Sequence, residues 1–245
     1  MNTDVKALRQ LWQEVFGDSE EFLDAFFGTA YAPERCRTRE CDGKLAAAVY
    51  WFDCTIDGRR VAYIYALATA PEYRGRGYAH ALMAQIREEL SRAGYGAILL
   101  VPGTESLFRF YEGMGYRAFG PVRSRSCQAG SDPVPLREIR VEEYARLRRK
   151  LLPPGGVVQE GENLGFLVSI AELYAGEDFL LACVREGETL QGLELLGDET
   201  KAPGILKALG CREGSFRIPG GEDSLAMFLP LAQEIAPTYL GLAFD

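Results

Sequence analysis

The sequence predicts an α/β fold of the α+β kind: a mixed, mostly antiparallel sheet flanked by helices, with a second, smaller αβ domain behind it. Three observations carry this. Asp42-Gly43 and Asp57-Gly58 each separate two β-prone runs and so mark consecutive hairpins. Runs with helical periodicity stand on both sides of those hairpins. Pro121, Gly130, Ser131, Asp132, Pro133 and Pro135 read as a linker, beyond which helices and strands resume. The resulting division is residues 1–130 and 131–245.

Val5, Leu8, Leu11, Trp12 and Phe16 recur at helical spacing, and Gly17 follows as a C-cap. Asp18 and Ser19 cap a second helix, with Glu20 and Glu21 in its positive first turn. The two Asp-Gly turns then divide strands Arg35–Cys41, Lys44–Ile56 and Arg59–Thr69. A helix from Gly77 to Ala93 carries Ala79, Leu82, Met83, Ile86 and Leu90 on one face. Ala97–Val101 is a short apolar strand stopped by Pro102. Thr104 starts a helix through Met114, Gly115 ends it, and Tyr116–Val122 reads as a strand. In the second half, helices are expected near 140–152, 163–175 and 202–209. Strands are expected at Phe179–Arg185, Thr189–Leu196, and near 214–218, 225–230 and 238–244. This layout loosely echoes the first half. The basic run Arg146–Lys150 reads as a solvated helix face.

The chain has 27 Lys+Arg and 35 Asp+Glu, and the whole net charge of -8 falls in residues 131–245, because residues 1–130 hold 16 of each sign. An acidic chain suits a nucleic-acid backbone poorly, so no nucleic-acid partner is expected. No run of about 18 apolar residues suggests a membrane span, and Met1–Leu11 has no apolar run of the secretory kind. The six cysteines, at 36, 41, 54, 127, 183 and 211, form no Cys-x-x-Cys pair, and His80 is the single histidine. No metal is therefore expected, and reduced thiols fit a cytoplasmic location.

The chemically informative segment runs from Tyr63 through Leu67-Ala68-Thr69 into Arg74-Gly75-Arg76-Gly77-Tyr78-Ala79. A strand enters a Gly/Arg loop that opens a helix. Glycine permits close backbone approach, and the helix start offers unpaired N–H groups and a positive dipole end. Together they make an anion cradle. A dinucleotide fingerprint is a poor fit, since its third glycine falls on His80. The Gly-Lys-Ser/Thr of a triphosphate loop is also missing.

This segment resembles the pyrophosphate loop of the GNAT superfamily of acyl-CoA-dependent N-acyltransferases, in which Arg/Gln-x-x-Gly-x-Gly/Ala matches Arg74-x-x-Gly77-x-Ala79. Phe110-Tyr111-Glu112-Gly113-Met114-Gly115-Tyr116 is similar to the family's aromatic–Tyr…Gly–aromatic helix end, and element order agrees over about residues 5–122. The resemblance implies a GNAT catalytic domain in residues 1–130 and a degenerate GNAT-like or unrelated αβ unit in 131–245. It implies acetyl-CoA as cosubstrate, held by the backbone of Arg74, Gly75, Arg76, Gly77, Tyr78 and Ala79. The strand edge at Leu67, Ala68 and Thr69 would pair with the pantetheine arm. Tyr111 matches the position that often protonates the leaving thiolate, though a core tyrosine is the competing reading. Thr104 stands where the family often has a cofactor-contacting Asn, or serves as an N-cap.

The general base stays open. Relatives often carry Glu on the strand before the loop, where this chain has Tyr63 and Tyr65. Glu72, Asp53 and water relays remain, and some two-domain relatives use a C-terminal carboxylate, which here would be that of Asp245. Tyr50, Trp51, Phe52, Tyr63 and Tyr65 either pack two sheet faces or line an acceptor pocket, with Trp51 and Tyr65 as candidate contacts for a cationic amine. The expected acceptor is a primary amine on a small molecule or peptide. An acidic second half overhanging the cleft would attract it. A non-catalytic acyl-CoA sensor is the alternative function.

Overall fold

The computed structural model describes residues 4–231 and 235–244. Helices α1 (Val5–Phe16) and α2 (Glu20–Thr29) open the chain. Asp4 caps α1 through the Lys6 N–H and Gly17 closes it at φ 76°, while Ser19 caps α2 through the Phe22 N–H. Strands β1 (Cys36–Cys41), β2 (Lys44–Ile56) and β3 (Arg59–Thr69) form an antiparallel meander. Both turns between them place two consecutive residues at positive φ, 50° and 74° at Asp42-Gly43 and 49° and 76° at Asp57-Gly58. That is the geometry a two-residue hairpin of type I′ requires. Helix α3 (Tyr78–Arg92), strand β4 (Ala97–Leu100), helix α4 (Glu105–Glu112) and strand β5 (Arg117–Gln128) complete the first half. Helices α1 and α2 bury their apolar stripes on one face of the meander, and α3 buries Leu82, Met83, Ile86 and Leu90 on the other.

After the two-residue strand β6 (Arg137–Glu138) come helix α5 (Val141–Leu151), the two-residue strand β7 (Val158–Gln159) and helix α6 (Glu162–Ile170). A second antiparallel meander follows, β8 (Glu172–Ala175), β9 (Phe179–Glu186) and β10 (Thr189–Gly197), then helix α7 (Ala202–Ala208). Strand β11 (Glu213–Pro230) starts parallel to β10, as β4 runs parallel to β3. The order helix, helix, three-stranded meander, helix, parallel strand therefore occurs twice.

β11 joins the halves. Its start pairs with β10, and Met227–Pro230 pair with Leu100–Ala97 of β4. Along its length it also pairs with β5. One sheet thus runs through both halves in the order β1-β2-β3-β4-β11-β10-β9-β8-β6. The expected strands near 214–218 and 225–230 are one strand with an irregularity between Pro219 and Ser224, where Gly220 and Gly221 take φ of 90° and 124°. Pro121, read as the start of a linker, lies within β5 opposite Ser224 at this irregularity. A proline that lacks a ladder donor is tolerated where pairing is interrupted. The helix expected over 163–175 ends at Ile170, and Glu172–Ala175 pair with Cys183–Leu180 instead. Residues 238–244 form no strand beyond a single bridge from Tyr239 to Gly156.

The basic run divides. Arg146, Arg149 and Lys150 are exposed as expected, but Arg148 is 2 % exposed. It falls one turn after the buried Tyr144, on the inner face of α5, where Glu194 of β10 pairs with it.

Candidate active site

The parallel pairing of β3 with β4 lasts three residues, Ala62–Ile64 against Ile98–Leu100. β3 continues to Thr69, but the chain turns away after Leu100 at Val101-Pro102-Gly103, so the two strands splay. A bulge in the β2–β3 ladder sits at the opening: Tyr50 opposes Ala66 and Trp51 opposes Ile64, leaving Tyr65 as the extra residue. Bulges increase local twist and re-aim side chains. Ala70 donates its N–H to Ala46 O on β2. By ladder alternation, the backbone groups of Leu67 and Thr69 then face the open side. The result is a cleft of about 540 Å³ whose wall includes the β3 edge at Leu67.

The Gly/Arg loop closes the end of this strand. Arg74 Nε donates to Thr69 O at 3.2 Å, fixing the loop to β3. Gly75 and Gly77 take φ of 74° and 82°, which a side chain would strain although no neighbouring atom would obstruct a Cβ. Gly77 is the N-cap of α3 and offers no side-chain acceptor to its first turn. Among the described residues, the amides of Tyr78, Ala79 and His80 at the start of α3 have no backbone acceptor. The exposed Arg74 and Arg76 stand on the same turn.

Tyr111 comes from α4. Thr104 caps that helix by accepting from Leu107 N at 3.4 Å, so its hydroxyl is engaged as an N-cap. Tyr111 is 6 % exposed and lines the cleft, and among the described residues its hydroxyl has no hydrogen-bond partner. Burial pushes its phenol up to about 12, so it stays protonated at neutral pH and remains a donor.

Tyr65 lines the cleft, but Trp51 does not. Trp51 packs on the α3 face, with the Arg37 guanidinium 5.3 Å from its ring, so the two are not brought together. Ala68 is fully buried on the face toward α1 and α2. Asp53 is engaged elsewhere: it accepts from Tyr95 Oη at 2.5 Å and lies 3.5 Å from Arg60. Glu72 and His80 are exposed and line no part of the cleft. Asp245 lies outside the described residues.

Two parts of the wall had no sequence motif. Trp12, Phe16 and Phe22 reach it from α1 and α2. Ala243 and Phe244 reach it from the far end of the chain: Tyr63 Oη donates to Ala243 O at 2.6 Å and Tyr65 Oη to Phe244 O at 3.1 Å. The described residues of the second half that line the cleft, Leu225, Ala243 and Phe244, are apolar. Asp18 is the one charged side chain among the described residues lining the cleft.

The second half repeats the split without the cradle. Leu193 is the extra residue of a bulge in β10, and pairing of β10 with β11 ends at Gly192–Phe216. The turn after β10 is closed by Asp198, whose side chain accepts from the Thr200 N–H and Oγ1. Residues 241–242 occupy the neighbourhood of the bulge, held by Arg217 Nη1 on Gly241 O and by Gln159 Nε2 on Leu242 O. Among the described residues no cluster of His, Cys, Asp and Glu is arranged to hold a metal, and no helix is long and apolar enough to cross a membrane.

Residues 1–119 match a family model described as an acetyltransferase (GNAT) domain. A search of curated proteins returns no match. Among solved structures, the chain is similar to a GCN5-related N-acetyltransferase from Anabaena variabilis, with a TM-score of 0.73 and 16% identity over 94% of this chain and 71% of that one. It is similar to another from Kribbella flavida, with a TM-score of 0.67 and 19% identity over the same shares. A tandem GNAT protein from the clavulanic acid biosynthesis pathway aligns over 95% of this chain and 97% of that one, at 12% identity and a TM-score of 0.58. At these identities the likeness establishes the fold, and the tandem relative accords with the element order seen twice here.

Proposed function

Residues 1–119 belong to the GNAT family of acetyltransferases, and from that premise we propose that the chain transfers the acetyl group of acetyl-CoA to a primary amine of a small molecule or peptide. The observation that supports this is the succession along β3 of an edge at Leu67 that shares the cleft with an unbonded phenol at Tyr111, and of a Gly/Arg loop opening α3 just beyond the strand. The cradle amides hold the pyrophosphate, with Arg74 and Arg76 adding charge. The strand edge takes the pantetheine arm as a further strand would be taken. A main-chain N–H on that edge polarises the thioester carbonyl.

The amine lone pair attacks the carbonyl carbon directly, the C–S bond breaks, and Tyr111 gives its proton to the leaving thiolate. The ammonium proton leaves through water, because the hydroxyls of Tyr63 and Tyr65 already donate to carbonyls of the chain, and water returns a proton to Tyr111. Holding both substrates in one cleft makes the attack effectively intramolecular. The six cysteines are free thiols, as a reducing cytoplasm would keep them.

Tyr111→Phe tests the assignment. A thiolate is a fair leaving group, so kcat is expected to fall about 10–100-fold, at the low end of acid catalysis, with the KM for acetyl-CoA little changed. Release of free CoA gives both constants. An unchanged kcat would remove Tyr111 from the chemistry.

A further inference from the structure

We infer that the acceptor is an aromatic or bulky apolar primary amine carrying no second charged group. This rests on the acetyl-transfer reading of the same cleft and narrows it. The acceptor side is an aromatic wall assembled from three separate parts of the sequence. Trp12 and Phe16 come from α1, Phe22 from α2, and Phe244 from beyond the last strand. Tyr65 ties them together, with its ring centroid 5.8 Å from Trp12 and 5.9 Å from Phe244. At the mouth, Phe16 and Leu107 are 45% and 38% exposed. Large apolar side chains left in water beside a cleft mark a ligand surface.

The polar inventory is short, and most of it is already occupied. The Trp12 indole N–H donates to Asp18 at 2.8 Å, and the hydroxyls of Tyr63 and Tyr65 hold the 243–244 backbone. An amino sugar would bury hydroxyls without partners, and sites that leave polar groups unpaired discriminate strongly. Among the described residues, the lone lining charge is the carboxylate of Asp18. One ammonium suits it, and aromatic faces add to the attraction for a cation. A carboxylate on the acceptor would be repelled, and a polyamine would bring further cations for which the described lining offers no second counter-charge.

The test uses the full chain with acetyl-CoA and follows release of free CoA. The acceptors are 2-phenylethylamine and tryptamine against phenylalanine, glucosamine and spermidine. The expected result is a kcat/KM at least about tenfold higher for the two arylalkylamines, by the discrimination that unpaired polar groups impose. Phe16→Ala, at a half-exposed position, is expected to raise the KM for 2-phenylethylamine several-fold and leave that for acetyl-CoA unchanged, with a thermal melt confirming that the variant is folded. Turnover of the polar amines at equal or higher efficiency overturns the acceptor class and leaves acetyl transfer standing. Binding of acetyl-CoA, seen by thermal shift, with no amine of either set used overturns acetyl transfer and the acceptor class with it.

Discussion

Residues 1–130 produced without the rest of the chain are expected not to fold cooperatively. Met227–Pro230 of β11 lie between β4 and β5, and no segment of the first half occupies that place. Ala226 and Met227 are fully buried there. Without them β4 keeps only its three-residue parallel pairing to β3. The opposite face loses cover as well. Phe166 of α6 packs against Phe22, Phe26, Phe52 and Tyr65. Glu162 accepts the Asp53 N–H, and Asn163 donates to Asp53 O. Removing several fully buried apolar side chains costs about 2–5 kcal/mol for each large one, against a total stability of roughly 5–15 kcal/mol for a native protein. Near-UV circular dichroism and a thermal melt check this. A fragment with a sharp transition near that of the full chain would show that the first half is self-sufficient.

Arg148→Met is expected to destabilise the full chain by about 3–5 kcal/mol, the cost of leaving a buried charge without its partner. Arg148 meets Glu194 through Nε at 2.6 Å and Nη2 at 2.9 Å, and it also donates to Val157 O and Gln159 Oε1. Burial alone would lower the Arg148 pKa, but Glu194 outweighs it and holds the guanidinium more basic than usual. Tyr144 Oη donates to the same carboxylate at 3.0 Å. With Glu194 at 0% exposure, the single substitution strands a carboxylate in the core. The double variant Arg148→Met with Glu194→Leu is expected to recover most of the loss, because an apolar pair can replace a buried ion pair at little cost. Urea unfolding of the two variants gives the comparison. A single variant within about 1 kcal/mol of the parent would mean that Glu194 finds water or another partner. The network also reaches the cleft: Gln159 grips Leu242 by both backbone groups, two residues before Phe244.

Local features were readable from sequence because each has a local cause. The Asp-Gly turns specify their own φ values, Ser19 and Thr104 cap the helices that follow them, and Gly77 opens α3. The loop was readable as an anion cradle for the same reason, whereas Tyr111 was named through the resemblance of its helix end to the family's. The features that were missed depend on partners distant in sequence. Glu194 and Arg148 are 46 residues apart, and a basic run gives no sign of which member turns inward. Ala243 and Phe244 meet Tyr63 and Tyr65 across about 180 residues. Alternation along β11 indicates a strand but not that it leaves one half and enters the other. The bulge that sets Tyr65 apart arises from the pairing of two strands, and a single strand carries no trace of it.

The central claim is that the loop at Arg74–Ala79 and the β3 edge hold an acyl-CoA. Amide hydrogen exchange on the full chain, with and without saturating CoA, tests it most directly. The expected result is slowed exchange at residues 75–80 and at Leu67 and Thr69, with no change over 198–204, the corresponding turn of the second half. Unchanged exchange at 75–80, or protection confined to 198–204, would contradict it.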